Sequence, residues 1–279
     1  MESMNHELTE CIINRAIGVF DSGIGGITVL KELIRKFPFE NFIYLGDTAR
    51  LPYGSKSPDT VRQYSLQNMD FLISRNVKAI VVACNTASTQ IFETDYKNTP
   101  IYNVIDPGAK KAALATENKK IAVLATRATV AAGSYTLKIK LHLPDAEVFS
   151  QACPLFVPLA EEGWHDDPIT NLIAFRYLQN LKSLDIDTAV LGCTHYPLLK
   201  SAIAKVFGNH VALIDSGEAL AEELAIDFER SRMPQKTLFE HGSLTLCLTD
   251  AGQQFENLSL NLLSEVISIQ PQFETVSVI

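Results

Sequence analysis

The chain repeats itself, and that repeat limits its possible folds more than any other feature. The segment AIVVACNTAS (79–88) matches TAVLGCTHYP (188–197): an apolar strand, a small residue, a cysteine, then polar residues. Further on, NVIDPGAKKA (103–112) matches ALIDSGEALA (212–221). Asp106 follows Cys84 by 22 residues, as Asp215 follows Cys193 by 22. Upstream, Ile17-Gly18-Val19-Phe20-Asp21-Ser22 aligns with Ile121-Ala122-Val123-Leu124-Ala125-Thr126. The gaps from Asp21 to Cys84 and from Ala125 to Cys193 are 63 and 68 residues. Two similar halves, each placing one cysteine at an equivalent strand end, account for the match.

Short apolar runs alternate with helix-period segments in both halves. The expected strands are 17–20, 42–45, 79–83, 101–105, 121–125, 147–151, 188–192 and 211–214. Between the first two, apolar residues at 27, 30, 33, 34 and 37 predict a helix that Pro38 stops. Ser57-Pro58 predicts another start, an N-cap followed by proline at the first helical position. Strands separated by helices imply parallel β/α units with helices on both faces. Ligands of such sheets sit at the carboxyl ends of the strands. Those ends carry Asp21 and Ser22, Asp47, Cys84 with Asn85 and Thr86, Asp106, Cys193 with Thr194 and His195, and Asp215. Asp, Asn, Ser and Thr are ordinary helix caps, so singly they mean little. Cysteine is not a favoured cap, so two of them in equivalent places need another reason.

Composition removes several classes. At 279 residues, 47% hydrophobic and 20% charged, the chain has the make-up of about two globular domains. A net charge of −8 gives no general attraction to nucleic acid or an anionic membrane surface. No apolar run approaches the roughly 20 residues of a membrane span. The start, MESMNHELTECIINR, has no apolar core and does not read as a signal peptide. Five cysteines, widely spaced and without C-x-x-C, argue against a disulfide framework, a zinc ribbon or a thiol oxidoreductase. A reduced, cytoplasmic protein is the expectation. Cys84, Cys193 and His195 are metal-ligand types, but C-x-H at a strand end is not a usual zinc spacing, so no metal is expected.

If the halves face each other, two thiols address one ligand from opposite sides. A carbon whose proton leaves by one face and returns by the other is inverted, and this takes one protonated and one ionised group. Thiols suit the task if helix N-termini and polar neighbours lower their usual value of about 8.5 toward neutrality. Carboxylates nearby work against this, so some of them must be protonated or paired. The Gly23-Ile24-Gly25-Gly26 turn lacks G-x-G-x-x-G and the Walker lysine, and is expected to let backbone approach a carboxylate.

With these residues in view, the sequence resembles the aspartate/glutamate racemase superfamily. The matching segments are IGVFDSGIGG (17–26), YLGDTARLPYGSKS (44–57), VVACNTAS (81–88), CPLFVPLAE (153–161), LGCTHYPLL (191–199) and LIDSGEALA (213–221). YLGDTARLPYG points to the glutamate branch. No motif position departs from the pattern. The resemblance implies cofactor-independent interconversion of L- and D-glutamate, supplying D-glutamate for bacterial peptidoglycan. It also implies an α/β fold of two similar Rossmann-like domains with parallel-type sheets, related by pseudo-twofold symmetry, with the active site in the cleft between them. Residues 1–108 and 218–279 would form the first domain and 109–217 the second. SLTLCL (243–248) and FETVSVI (273–279), around a helix containing Phe255, Leu258 and Leu262, would return to the first.

By the same resemblance Cys84 takes the proton from D-glutamate and Cys193 from L-glutamate, with Asp21 and His195 accompanying them. Asp21, Ser22, Tyr53, Gly54, Asn85, Thr86, Thr194 and His195 would hold substrate, and Asp47 and Glu161 would be further site acids. Cys11, Cys153 and Cys247 have no counterpart in the repeat and are expected to be structural. Trp164 to Asp167 are expected to form an exposed turn before Pro168. The expected partner is a small-molecule substrate, not nucleic acid or membrane, and a homodimer stays open. Rival readings are a relative acting on another acid such as aspartate, and an amino-acid-binding protein without catalysis.

Overall fold

The computed structural model describes residues 12–230, 242–250 and 252–278. In chain order the elements are β1 (Ile17–Asp21), α1 (Ile27–Lys36), β2 (Phe42–Gly46), α2 (Pro58–Ser74), β3 (Ala79–Val82), α3 (Asn85–Ser88), β4 (Asp95–Tyr96), β5 (Thr99–Asn103) and α4 (Ile105–Ala115). There follow β6 (Lys120–Ala125), α5 (Arg127–Ala132), α6 (Ser134–His142), β7 (Glu147–Ala152), α7 (Phe156–Glu161), α8 (Pro168–Lys182), β8 (Thr188–Gly192), α9 (Lys200–Phe207), β9 (Ala212–Asp215) and α10 (Ser216–Glu229). After these come β10 (Leu244–Leu248), α11 (Gln253–Leu263) and β11 (Gln272–Thr275).

The strands form two sheets. The first has the order β11-β10-β2-β1-β3-β5-β4, and the second β7-β6-β8-β9. All pairings are parallel except β4 with β5. The central strands β1, β3 and β8 are buried at every residue, as continuous apolar runs covered on both faces must be. Helix α1 turns Ile27, Leu30, Leu33 and Ile34 inward. Ser57 caps α2 by accepting from the Thr60 amide, with Pro58 just inside. Each sheet carries an apolar core on both sides. Strands β10 and β11 join the first sheet, with α11 between them in the chain. The expected boundaries at 108 and 218 fall within α4 and α10. These helices pack on each other, and α4 also meets α6 while α10 meets α1.

The repeat is visible strand by strand: β2-β1-β3-β5 corresponds to β7-β6-β8-β9. Ile17 lies opposite Ala79, and Ile121 lies opposite Thr188, the same register as the sequence alignment. At the next strand the alignment fails. Val82 pairs with Asn103, whereas its counterpart Leu191 pairs with Asp215. Asp215 therefore corresponds to Asn103, not to Asp106. Chemistry agrees: Asn103 Oδ1 accepts from the Ile105 amide at 3.0 Å, and Asp215 Oδ1 from the Gly217 amide at 2.9 Å. Each turns its chain from strand into helix two residues on. The equal 22-residue spacing is a coincidence, and Asp106 lies in the first turn of α4, paired with Lys138 and His142. The expected strand 101–105 ends at Asn103 for the same reason.

At the opposite ends of the strands lies a buried ion pair. Lys78, just before β3, meets Glu40 at 2.6 Å, and both side chains are 1% exposed. Removing one partner of such a pair strands the other charge in a poorly solvating interior. Glu40→Ala is expected to lower the unfolding free energy by about 3–5 kcal/mol, read by urea denaturation; Lys78→Met with Glu40→Leu is expected to recover most of that loss.

Candidate active site

The carboxyl ends of β1, β3, β6 and β8 converge where the sheets meet, around a cavity of about 230 Å³. From the first half it is lined by Ser22, Gly23, Cys84, Asn85 and Thr86, and by the segment Leu51 to Ser55 with Tyr53 and Gly54. From the second half come Thr126, Arg127, Pro154, Val157, Pro158, Glu161, Cys193, Thr194 and His195. Both cysteines thus open onto one cavity, each from the strand end that the repeat assigns to it.

Their surroundings differ. Cys84 caps α3, and the Ala87 amide donates to its sulfur at 3.5 Å. Ser22 Oγ lies 3.7 Å away. Burial and the charge of Asp21 push this thiol well above its ordinary value, and the amide and Ser22 offset only part of the rise. The expectation that a helix N-terminus lowers it is not met here, because one amide of a four-residue helix does not outweigh full burial beside a carboxyl group. Cys193 instead lies 3.8 Å from His195 Nδ1, and His195 Nε2 lies 3.0 Å from Glu161 Oε1. Burial opposes a charged imidazole, but the bonds to Cys193 and Glu161 prevail and raise His195 to about 10. An imidazolium therefore stands beside the Cys193 sulfur.

The acids sort themselves by partner. Asp21 is fully buried beneath the cavity wall and does not line it. It accepts from the Gly23 amide at 3.0 Å and from Thr194 Oγ1 at 3.4 Å. Burial raises its carboxyl group toward the neutral form, against the pull of His195. Glu161 lines the cavity and pairs with His195. Asp47 is placed differently from the expectation of a site acid. It is fully buried behind Tyr53, accepts from the Tyr53 hydroxyl and from Thr249 at 3.1 Å, and is neutralised by Arg50 Nε at 2.8 Å. It orients a cavity residue and does not line the cavity. Burial thus shifts Asp21 toward the neutral form, and Glu161 and Asp47 pair with His195 and Arg50.

The remaining polar residues tie the halves together. Thr86 Oγ1 lies 3.0 Å from Thr126 Oγ1 and 3.1 Å from Thr129 Oγ1. The Asn85 amide meets Tyr135 and Ser216. Thr28 Oγ1 donates to the Thr194 carbonyl at 2.8 Å. The glycine turn serves this junction. A Cβ on Gly25 would stand 2.3 Å from Thr194 Oγ1, and one on Gly26 would stand 2.3 Å from Asp21 Cβ. Gly25 permits close packing of the halves, Gly26 lets the turn lie against Asp21 and Tyr44 of its own half, and only Gly23 of the turn faces the cavity.

Thr126 and Arg127 line the cavity without having been singled out. Thr126 had a signal, since the repeat aligns it with Ser22. Arg127, the one Lys or Arg in the lining among the described residues, had none. Pro154, Val157 and Pro158 form an apolar wall inside the CPLFVPLAE motif. Trp164 is partly exposed and outside the lining; Cys153 and Cys247 are buried in the cores. Cys11 lies outside the described residues. Among the described residues no three His, Cys, Asp or Glu side chains are grouped to hold a metal ion, and no helix is long and apolar enough to cross a membrane.

Parallel sheets facing across a buried cavity with two cysteines define a class, and comparison with known proteins gives it a name. The model of the Asp/Glu/Hydantoin racemase family matches residues 20–224, and the chain belongs to that family. A glutamate racemase of Geobacter metallireducens is 50% identical over 213 residues, covering 76% of this chain and 79% of its own. One from Sulfurihydrogenibium is 42% identical, covering 90% and 94%. Among solved structures, a glutamate racemase of Bacillus anthracis superposes with a TM-score of 0.88 at 33% identity, covering 95% of this chain and 98% of that one. The Francisella tularensis glutamate racemase, solved in complex with D-glutamate, does so with 0.86 at 36% identity and the same coverage.

The His195 setting has a consequence for stability. Its ordinary value is 6.5 and its value in the fold is about 10. A raised folded value stabilises the protein fully below pH 6.5, and the contribution is lost as pH rises toward 10. The melting temperature of the wild type is expected to exceed that of His195→Gln most at pH 6, with the gap closing toward pH 10. Differential scanning fluorimetry across that range checks it.

Proposed function

We propose that this racemase interconverts L- and D-glutamate by a two-base mechanism without a cofactor, supplying D-glutamate for peptidoglycan in the bacterial cytoplasm. The observation that carries the reading is the pair of thiols, Cys84 and Cys193, opening onto one cavity from the ends of two pseudo-equivalent strands. The relatives named glutamate racemase, and the D-glutamate bound by the Francisella protein, support the choice of substrate.

The α-hydrogen of an amino acid is a very weak acid, so the site must stabilise the carbanion alone. Hydroxyls of Ser22, Thr86 and Thr194 and the Asn85 amide surround the cavity and offer donors to the carboxylates. Donors fixed beforehand stabilise the enolate-like charge as it develops. Burial excludes water and strengthens each contact. Starting from L-glutamate, the Cys193 thiolate, beside the His195 imidazolium, removes the α-proton. The Cys84 thiol then gives its proton to the opposite face, leaving D-glutamate with Cys193 protonated and Cys84 ionised. The reverse direction exchanges the roles. The high proton affinity of Cys84 suits a group that must hold its proton until the carbanion forms. Asp21 and His195 act on the thiols through charge.

Proton NMR of L- or D-glutamate in heavy water, with no cofactor added, tests the reading: the α-proton signal is expected to disappear from either enantiomer as the other accumulates. Retention of that proton, or faster exchange on aspartate, sinks the glutamate assignment. Cys84→Ala and Cys193→Ala are each expected to lower racemisation by at least about 10³-fold, while exchange without inversion survives for one enantiomer. Rate against pH is expected to be bell-shaped, with apparent values that belong to the thiol pair; a flat profile with chemistry rate-limiting would count against two bases.

A further inference from the structure

Asn85 lines the cavity next to Cys84, and the orientation of its amide is set from the other half of the molecule. The Leu191 carbonyl, in β8 two residues before Cys193, can only accept a hydrogen bond. Ser216 Oγ lies 3.3 Å from it and must be the donor. Having spent its hydrogen, Ser216 can only accept from Asn85, at 3.4 Å, so the atom facing it is Nδ2. Asn85 Oδ1 then faces Tyr135, whose hydroxyl donates to it at 2.6 Å. The chain of donors therefore runs one way, from Tyr135 through Asn85 and Ser216 to Leu191. Its polarity is anchored by a backbone carbonyl. One N–H of the Asn85 amide is used by Ser216, and the other has no protein acceptor among the described residues.

Tyr135 is itself held in place. It projects from α6 into the core beneath the second sheet and is 2% exposed. A Cβ on Gly192 would stand 3.1 Å from one edge of its ring, and one on Gly108 would stand 3.3 Å from the other. Bare backbone on both sides makes a slot for the ring. A larger residue at position 192, next to Cys193, would press on the ring and on the Leu124 carbonyl, which a Cβ there would meet at 3.0 Å.

We propose that Tyr135 is a positioning residue that locks the Asn85 amide with an N–H available to a substrate carboxylate. The reverse orientation would present a carbonyl oxygen to an anion, set Oδ1 against the Ser216 oxygen whose hydrogen is spent on Leu191, and take from the Tyr135 hydroxyl the acceptor it has here. The proposal rests on the reading that the cavity binds a dicarboxylate amino acid. It adds that the orientation of a donor in the first half is fixed by a side chain of the second.

Steady-state kinetics in both directions, with calorimetric binding of D-glutamate, test it. Tyr135→Phe keeps the ring and removes the donor. It is expected to raise KM and the dissociation constant about tenfold, with a smaller fall in kcat. In an Asn85→Ala background the same change is expected to add nothing to KM, because Tyr135 acts through Asn85. A purely structural tyrosine would lower the melting temperature and multiply with Asn85→Ala instead. Ser216→Ala cuts the same chain at its other end and is expected to shift KM in the same direction, which provides a second variant should Tyr135→Phe fold poorly. Unchanged KM in Tyr135→Phe and Ser216→Ala, or losses that multiply in the double variant, overturn the proposal. Wild-type protein that neither binds nor exchanges glutamate overturns the functional reading and this inference with it. A wild type that racemises while the variants match it overturns the inference alone.

Discussion

Bringing the carboxyl ends of two parallel sheets together buries turns, caps and carbonyls that would otherwise face water. Each must find a partner, because an unpaired buried polar group costs about 1–3 kcal/mol. Here the partners come from the other half. Thr28 serves the Thr194 carbonyl, Thr194 serves Asp21, Thr86 meets Thr126 and Thr129, and Tyr135 serves Asn85. The polar groups around the cavity therefore exist in their present orientation only when the halves are joined. Satisfaction of the junction and preorganisation of the site are the same set of bonds.

This explains which features could be read from sequence and which could not. The strands were legible because buried parallel strands are continuous apolar runs, and the two cysteines because a repeat displays equivalent positions. Asp106 misled because equal spacing along a chain is not equal register across a sheet: β5 ends three residues before it, at the Asn103 cap. Asp47 was drawn toward the site by its motif, yet its carboxylate is taken up by its near neighbours Arg50 and Tyr53 and by Thr249, which strand β10 brings from about 200 residues away. The short antiparallel β4 has no periodicity to reveal it. Arg127 left no trace because a cavity wall is defined by the other half, which no local pattern describes. Gly25 and Gly26 were recognisable as a place needing bare backbone, but what approaches them is protein and not ligand.

The repeat supplies symmetry, and its divergence supplies chemistry. Position by position, Asp21 corresponds to Ala125 and Thr86 to His195. A carboxyl group and an imidazole have been placed in different halves, each beside the cysteine of its own half. Asp21 raises the Cys84 thiol, and Glu161 holds the His195 imidazolium against Cys193. Under the two-base reading proposed for this site, each turnover starts with one sulfur protonated and one not. Two identical settings would favour the same state at both sulfurs. Unequal neighbours on an equal scaffold bias the pair, burial and Asp21 raising the proton affinity of Cys84.

That bias must stay small in its net effect, because enantiomers have equal energy and the enzyme cannot alter their ratio. A site that strongly stabilised one protonation state in the complex would slow one direction by trapping the enzyme after the other. The buried Asp21 offers a way to limit the trap. Burial raises its carboxyl group toward neutrality, His195 of the other half pulls it back, and its charge in turn raises Cys84. Under the two-base reading, the network that joins the halves couples the groups behind the two thiols, as the repeat matches the strands that carry them.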